Sequence, residues 1–184
     1  EPGIDNIIIC PPTYGMYQVC ADINNVSVKK IPLTPDFQLN LPAIEEAIDD
    51  HTKIIFLCSP NNPTGNSLIK EEVEVVLNNY FGLAVIDEAY INFSRHRSFV
   101  QLLNDYPNLV VLQTLSKAWG LAALRLGMAY ASEEIINVLN KVKPPYNINQ
   151  ASQELALQAL EEVGQVNDMI REIVEQRAKL ASQL

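Results

Sequence analysis

The chain has 184 residues, 48% of them hydrophobic, and carries a formal charge of −9 from 22 acidic and 13 basic side chains. That is apolar material enough for one packed domain and excludes a disordered chain. The acidic balance, with no basic block, argues against a nucleic-acid surface, and no apolar run reaches the roughly 20 residues of a membrane helix.

Taken in order, the first strand candidate is NIIIC (Asn6 to Cys10), followed by the turn-rich PPTYGMY. VSVKKI (Val26 to Ile31) is a second strand, and LPAIEEAIDD has helical period. KIIFLC (Lys53 to Cys58) leads into SPNNPTG, where Pro60 and Pro63 fix φ and Gly65 allows a turn closed to other residues. In LIKEEVEVVLNNY, residues Ile69, Val73, Val76, Leu77 and Tyr80 fall on one helical face. LAVID (Leu83 to Asp87), LVVLQT (Leu109 to Thr114) and GMAYA (Gly127 to Ala131) complete the strands. EEIINVLNKV is a helix stopped by Pro144 and Pro145, and two more helices follow, the last carrying Ile170, Ile173, Val174, Arg177 and Leu180 to Leu184.

Several strands are apolar throughout, as expected where helices cover both faces of a parallel sheet. The expected fold is therefore α/β, with a mainly parallel sheet and helices on both faces. Cys10, Cys20 and Cys58 are odd in number and form no CxxC pair, which points to reduced thiols and a cytoplasmic protein. The chain opens on EPGID and stops inside a helical pattern, so a central piece of a longer protein is expected.

Ligands of such sheets bind outside the carboxyl ends of the strands. Here those ends carry PPTYGMY, SPNNPTG, DEAY and LSK, so the polar residues gather at one sheet edge. An apolar strand ending in Asp87-Glu88 also suits a Walker-type NTPase, but the GxxxxGK[ST] loop is missing. No GxGxxG dinucleotide motif and no GxSxG elbow occur, and His51 and His96 have no metal-ligand spacing. Lys117 ends a buried strand with Arg125 eight residues on. Such a lysine, partly desolvated beside a second cation, becomes an amine nucleophile that condenses with aldehydes. Pyridoxal phosphate (PLP) is the aldehyde cofactor that also needs a carboxylate at its ring nitrogen and a cation with hydroxyls at its phosphate. Asp87 can meet the first need, and Arg125, Thr114 and Ser116 the second.

PTYGMY, SPNNPTG, DEAYINF and TLSKAWGLAALRLG, in this order and spacing, resemble the fold type I PLP-dependent aminotransferases over essentially the whole chain, particularly their histidinol-phosphate branch. The resemblance implies that Lys117 holds PLP and moves the substrate proton, and that Asp87 lies under the pyridine nitrogen. It places Tyr90 and Asn62 on the ring's O3′, Tyr14 against the ring face, and Thr114, Ser116 and Arg125 on the phosphate. Glu88 is expected to be structural. Trp119 and Ala123 depart mildly from the family's usual Phe and Gly.

The resemblance further implies a homodimer that transaminates histidinol phosphate with 2-oxoglutarate in histidine biosynthesis. An aromatic aminotransferase, a threonine-phosphate decarboxylase and a non-catalytic regulatory domain are the alternatives within the fold. Residues 1–163 would form part of the PLP-binding large domain, and 164–184 a helix leading to a small domain. Family members are about twice this length, so this stretch alone is expected to bind PLP weakly and not to transaminate efficiently.

Overall fold

A computed structural model of the chain describes residues 1–183. Six strands form one sheet, and their order follows from the sequence pattern just described: β1 (Asn6–Ile9), β2 (Ser27–Lys30), β3 (Thr52–Cys58), β4 (Leu83–Asp87), β5 (Leu109–Thr114) and β6 (Gly127–Ala131). In space they run β2-β1-β3-β4-β5-β6. All neighbours pair parallel except β5 with β6, which are antiparallel.

Alternate residues of a strand face opposite sides, and two cores result. Ile8, Ile55, Leu57, Ile86, Leu109 and Val111 point to one side, where they meet Ile44 of α2 (Leu41–Ala47) and Val73, Val76 and Leu77 of α3 (Lys70–Asn79). Ile7, Ile9 and Cys58 point to the other, against Tyr17 and Ala21 of α1 (Met16–Ile23). The expected α/β architecture with helices on both faces is what forms. Lys29 and Lys30 sit on the outermost strand β2, where charged side chains discourage pairing with another edge.

The helix ends have local causes. Asn40 caps α2 by accepting the Ala43 amide, with Pro42 in the first turn, and Asn149 caps α5 (Gln150–Glu161) by accepting the Ser152 amide. Helix α4 (Glu133–Val142) ends where Lys143 turns extended ahead of Pro144. The final helix, α6 (Val163–Ala181), packs against a 3-10 turn at Ile91–Phe93. Leu184, assigned to this helix from sequence, lies outside the described residues. No described helix is long and apolar enough to cross a membrane.

The sequence pattern missed α1. Its stretch reads as a loop because prolines precede it and it has only two turns, yet Tyr17 and Ala21, four apart, form a buried helical face.

Candidate active site at the carboxyl edge of the sheet

Strand β1 connects outward to β2, and β3 continues the other way to β4, so a crevice opens at the carboxyl ends of β1 and β3. Asn61, 4% exposed, spans it. Its Nδ2 donates to the Pro12 carbonyl at 2.8 Å and to Thr64 Oγ1 at 2.7 Å, while its Oδ1 accepts from Thr13 Oγ1 at 3.1 Å. With Asn61 fully committed to joining the two loops, the adjacent Asn62 is left to face the open space. Gly65 adopts φ +77°, the left-handed turn expected of it.

Lys117 and Arg125 are neighbours because of strand direction. Antiparallel pairing matches Thr114 with Gly127, so the loop between them starts and finishes at the same edge. Leu115 and Ala118 bury themselves and anchor the turn, which leaves Lys117 pointing outward. Its ammonium lies 5.3 Å from the centre of the Tyr90 ring, within cation–π range. The desolvation expected of Lys117 is absent here, because the side chain is exposed. Arg125 holds φ +56°, costing about 1–2 kcal/mol for a residue with a Cβ, and its Nη1 donates to the Ala122 carbonyl at 3.0 Å.

One cavity of about 300 Å³ is lined by every residue selected from sequence: Tyr14, Asn62, Asp87, Tyr90, Thr114, Ser116, Lys117 and Arg125. Four separate loops thus converge. The Thr114 hydroxyl is engaged inside the turn. It accepts the Ser116 amide at 3.0 Å and lies 2.9 Å from Ser116 Oγ and 3.0 Å from the Leu126 carbonyl.

Two important partners were not legible. Tyr17, 6% exposed, donates its hydroxyl to Asp87 Oδ2 at 2.7 Å while its ring stacks on Phe56 at 4.8 Å and meets Tyr14 edge-on at 5.6 Å. Oδ1 of Asp87 accepts the Ala89 amide at 3.0 Å. The carboxylate is therefore oriented from two sides before any ligand arrives. Burial foremost, then the charges of Cys58 and Asp87, push the Tyr17 phenol far above its usual range, so it stays protonated and a donor at neutral pH. Burial, followed by the Asp87 charge, also raises the thiol of Cys58, which lines the same cavity.

Glu88 faces away from the cavity and is 1% exposed. Its Oε1 accepts the Phe99 amide at 2.6 Å, and its Oε2 accepts from Ser98 Oγ at 2.6 Å and Gln113 Nε2 at 2.8 Å. This is the structural role expected for it. The pair Asp87-Glu88 divides between ligand space and scaffold because Glu88, just past the end of β4, still bonds its amide to the Leu112 carbonyl and so points opposite to Asp87.

The donor set fits PLP: an amine, a carboxylate held by two donors, an arginine with a serine hydroxyl, and an exposed tyrosine ring share one cavity. Comparisons with known proteins agree. Residues 2–184 match the family model for aminotransferase class I and II. The chain is 56% identical over 184 residues to a histidinol-phosphate aminotransferase of Cytophaga hutchinsonii, covering all of this chain and 53% of that one. The crystal structure of a Clostridium acetobutylicum histidinol-phosphate aminotransferase superposes with TM-score 0.88 at 25% identity, over 97% of this chain and 55% of that one. An L-threonine-O-3-phosphate decarboxylase of Porphyromonas gingivalis superposes with TM-score 0.78 at 25% identity, over 91% and 50%. The chain spans about half the length of the curated relatives it matches. It belongs to the class I and II aminotransferases, a PLP-dependent family.

Proposed function

We propose that this chain forms the cofactor-binding core of an enzyme that transaminates histidinol phosphate with 2-oxoglutarate. The observation that carries the reading is 56% identity over the whole chain to a protein named for that activity. The convergence of the eight selected residues on one cavity supports it. When bound, PLP supplies an aldehyde for amine condensation and a ring that draws electrons from the substrate carbon.

The chain's own residues then divide the work. Lys117 would hold the cofactor, and its Nζ would be the base that takes and returns the proton at the substrate carbon. Asp87, fixed by Tyr17 and Ala89, would keep the ring nitrogen protonated. Asn62 and Tyr90 would serve the ring oxygen, Tyr14 the ring face, and Arg125 with Ser116 the phosphate. Thr114 acts mainly by fixing Ser116. Residues 1–163 belong to the large domain, and 164–184 lead towards a small one. A cytoplasmic homodimer is the form in which we expect the full-length polypeptide to work.

The test is reconstitution of the full-length polypeptide with PLP, beside Lys117→Ala. A visible band that borohydride reduces, absent from the variant, with transfer of the amino group of histidinol phosphate to 2-oxoglutarate, is the expected result. No band in the wild type refutes the assignment of Lys117. A band without that transfer refutes the substrate.

A further inference from the structure

No residue of α4 is buried, although the helix packs on β6, the last strand of the sheet. Ile135 and Ile136 are half-buried, whereas Val138, Leu139 and Val142 are 58%, 40% and 75% exposed. One side of the apolar arc is therefore covered, and the other meets nothing among the described residues. Glu134, Val138 and Val142 follow at four-residue steps along that open side, and Lys141, three past Val138, lies beside them. Neither Glu134 nor Lys141 forms an ion pair among the described residues.

The sign of the charge thus reverses along the open side, with the acid four residues before Val138 and the base three after it. A two-fold axis through Val138 lays two such helices antiparallel and sets Glu134 of each beside the partner's Lys141 and the partner's Val142. The valines then close on one another between two ion pairs. By contrast, the exposed stripe Met16, Val19 and Ile23 of α1 has no basic residue with which a second copy could pair its Asp22.

We propose that α4 is the two-fold seam of a homodimer, packed antiparallel on the same helix of a second copy. A stable dimer covers about 800 Å² per partner, and a helix of this length spans only about 15 Å, so the seam is the centre of a wider contact. Tyr146, 95% exposed just past Pro144 and Pro145, extends it beyond the helix end. The dimer is part of the function proposed above; the choice of α4 rests on the helix alone.

The test uses the full-length PLP-loaded enzyme carrying Cys20→Ser, which removes an exposed thiol and serves as the baseline. Val138→Cys is compared with Asn140→Cys, which lies on the opposite side of α4. Helices packed about 8–10 Å apart bring side chains on the axis within disulfide reach. Mild oxidation should therefore link Val138→Cys into a dimer on a non-reducing gel and leave Asn140→Cys at the baseline.

A charge reversal gives the second measurement. Glu134→Lys or Lys141→Glu alone sets like charges opposite one another twice per dimer, and each should raise the dimer dissociation constant about tenfold in sedimentation at serial dilution. The double reversal should bring it back to within about twofold. Both changes oppose the helix dipole, so recovery in the double variant cannot come from the helix itself.

A wild type that sediments as a dimer while Val138→Cys stays unlinked refutes the seam and leaves the dimer standing. Equal linking of Asn140→Cys refutes it as well, as do single reversals without effect or a double reversal without recovery. A monomeric wild type overturns the dimer together with the seam, and the transamination assay described above then decides the activity separately.

Discussion

Glu88→Ala tests whether the buried carboxylate beside the candidate site is scaffold. Removing the side chain strands the Phe99 amide, which is buried and bonded only to Oε1 among the described contacts. An orphaned buried N–H costs about 1–3 kcal/mol, and the space left by the side chain adds about 1–2 kcal/mol if it stays unfilled. Ser98 and Gln113 lose less, because Gln113 Nε2 already lies 3.3 Å from Ser98 Oγ and the two can satisfy each other. The sum is about 2–5 kcal/mol. Glu88→Gln keeps the volume and one carbonyl for Phe99, so it should cost about 1 kcal/mol. Urea unfolding followed by circular dichroism reads both, with a midpoint drop of about 1–3 M expected for alanine. An alanine variant that loses under about 1 kcal/mol, or a glutamine variant equal to it, refutes the reasoning.

Other outcomes follow from single contacts. Tyr17→Phe keeps the stack on Phe56 but removes the bond to Asp87, so it should destabilise by about 1–2 kcal/mol in urea unfolding and weaken PLP binding; an unchanged affinity would show that Asp87 needs no orientation. Gly82→Ala would drive a Cβ into the Tyr80 hydroxyl and set it 2.8 Å from the Lys53 carbonyl. Because Tyr80 is buried, a loss of about 1–3 kcal/mol is expected in the same assay. Burial pushes the Cys10 thiol up to about 12. The folded state then holds a proton that the unfolded state releases near pH 9, so stability should fall as pH rises from there to about 12, and Cys10→Ala should flatten that slope. A thiol reagent should react rapidly with Cys20 alone, since Cys10 and Cys58 are buried. Two fast thiols would contradict the packing around β1 or β3.

The sequence by itself determined the six strands, most within a residue of their observed bounds, because β-branched runs report burial on both faces and that property is local. It also picked out eight of the residues that line the cavity. Each ends a strand or lies in the loop after one, and parallel strands deliver their trailing loops to one edge. What sat beyond reach was who faces whom. Asp87 meets Tyr17 because β3 lies between β1 and β4 and brings α1 over the sheet, a matter of strand order. Lys117 and Arg125 adjoin through the antiparallel register of β5 and β6, while Lys117 stays exposed because Leu115 and Ala118 took the buried positions. The choice between Asn61 as strut and Asn62 as cavity wall likewise depended on the Pro12 and Thr13 backbone and hydroxyl across the crevice. Periodicity records which face of an element is buried; the partner opposite is set by non-local packing, and tertiary structure alone decides it.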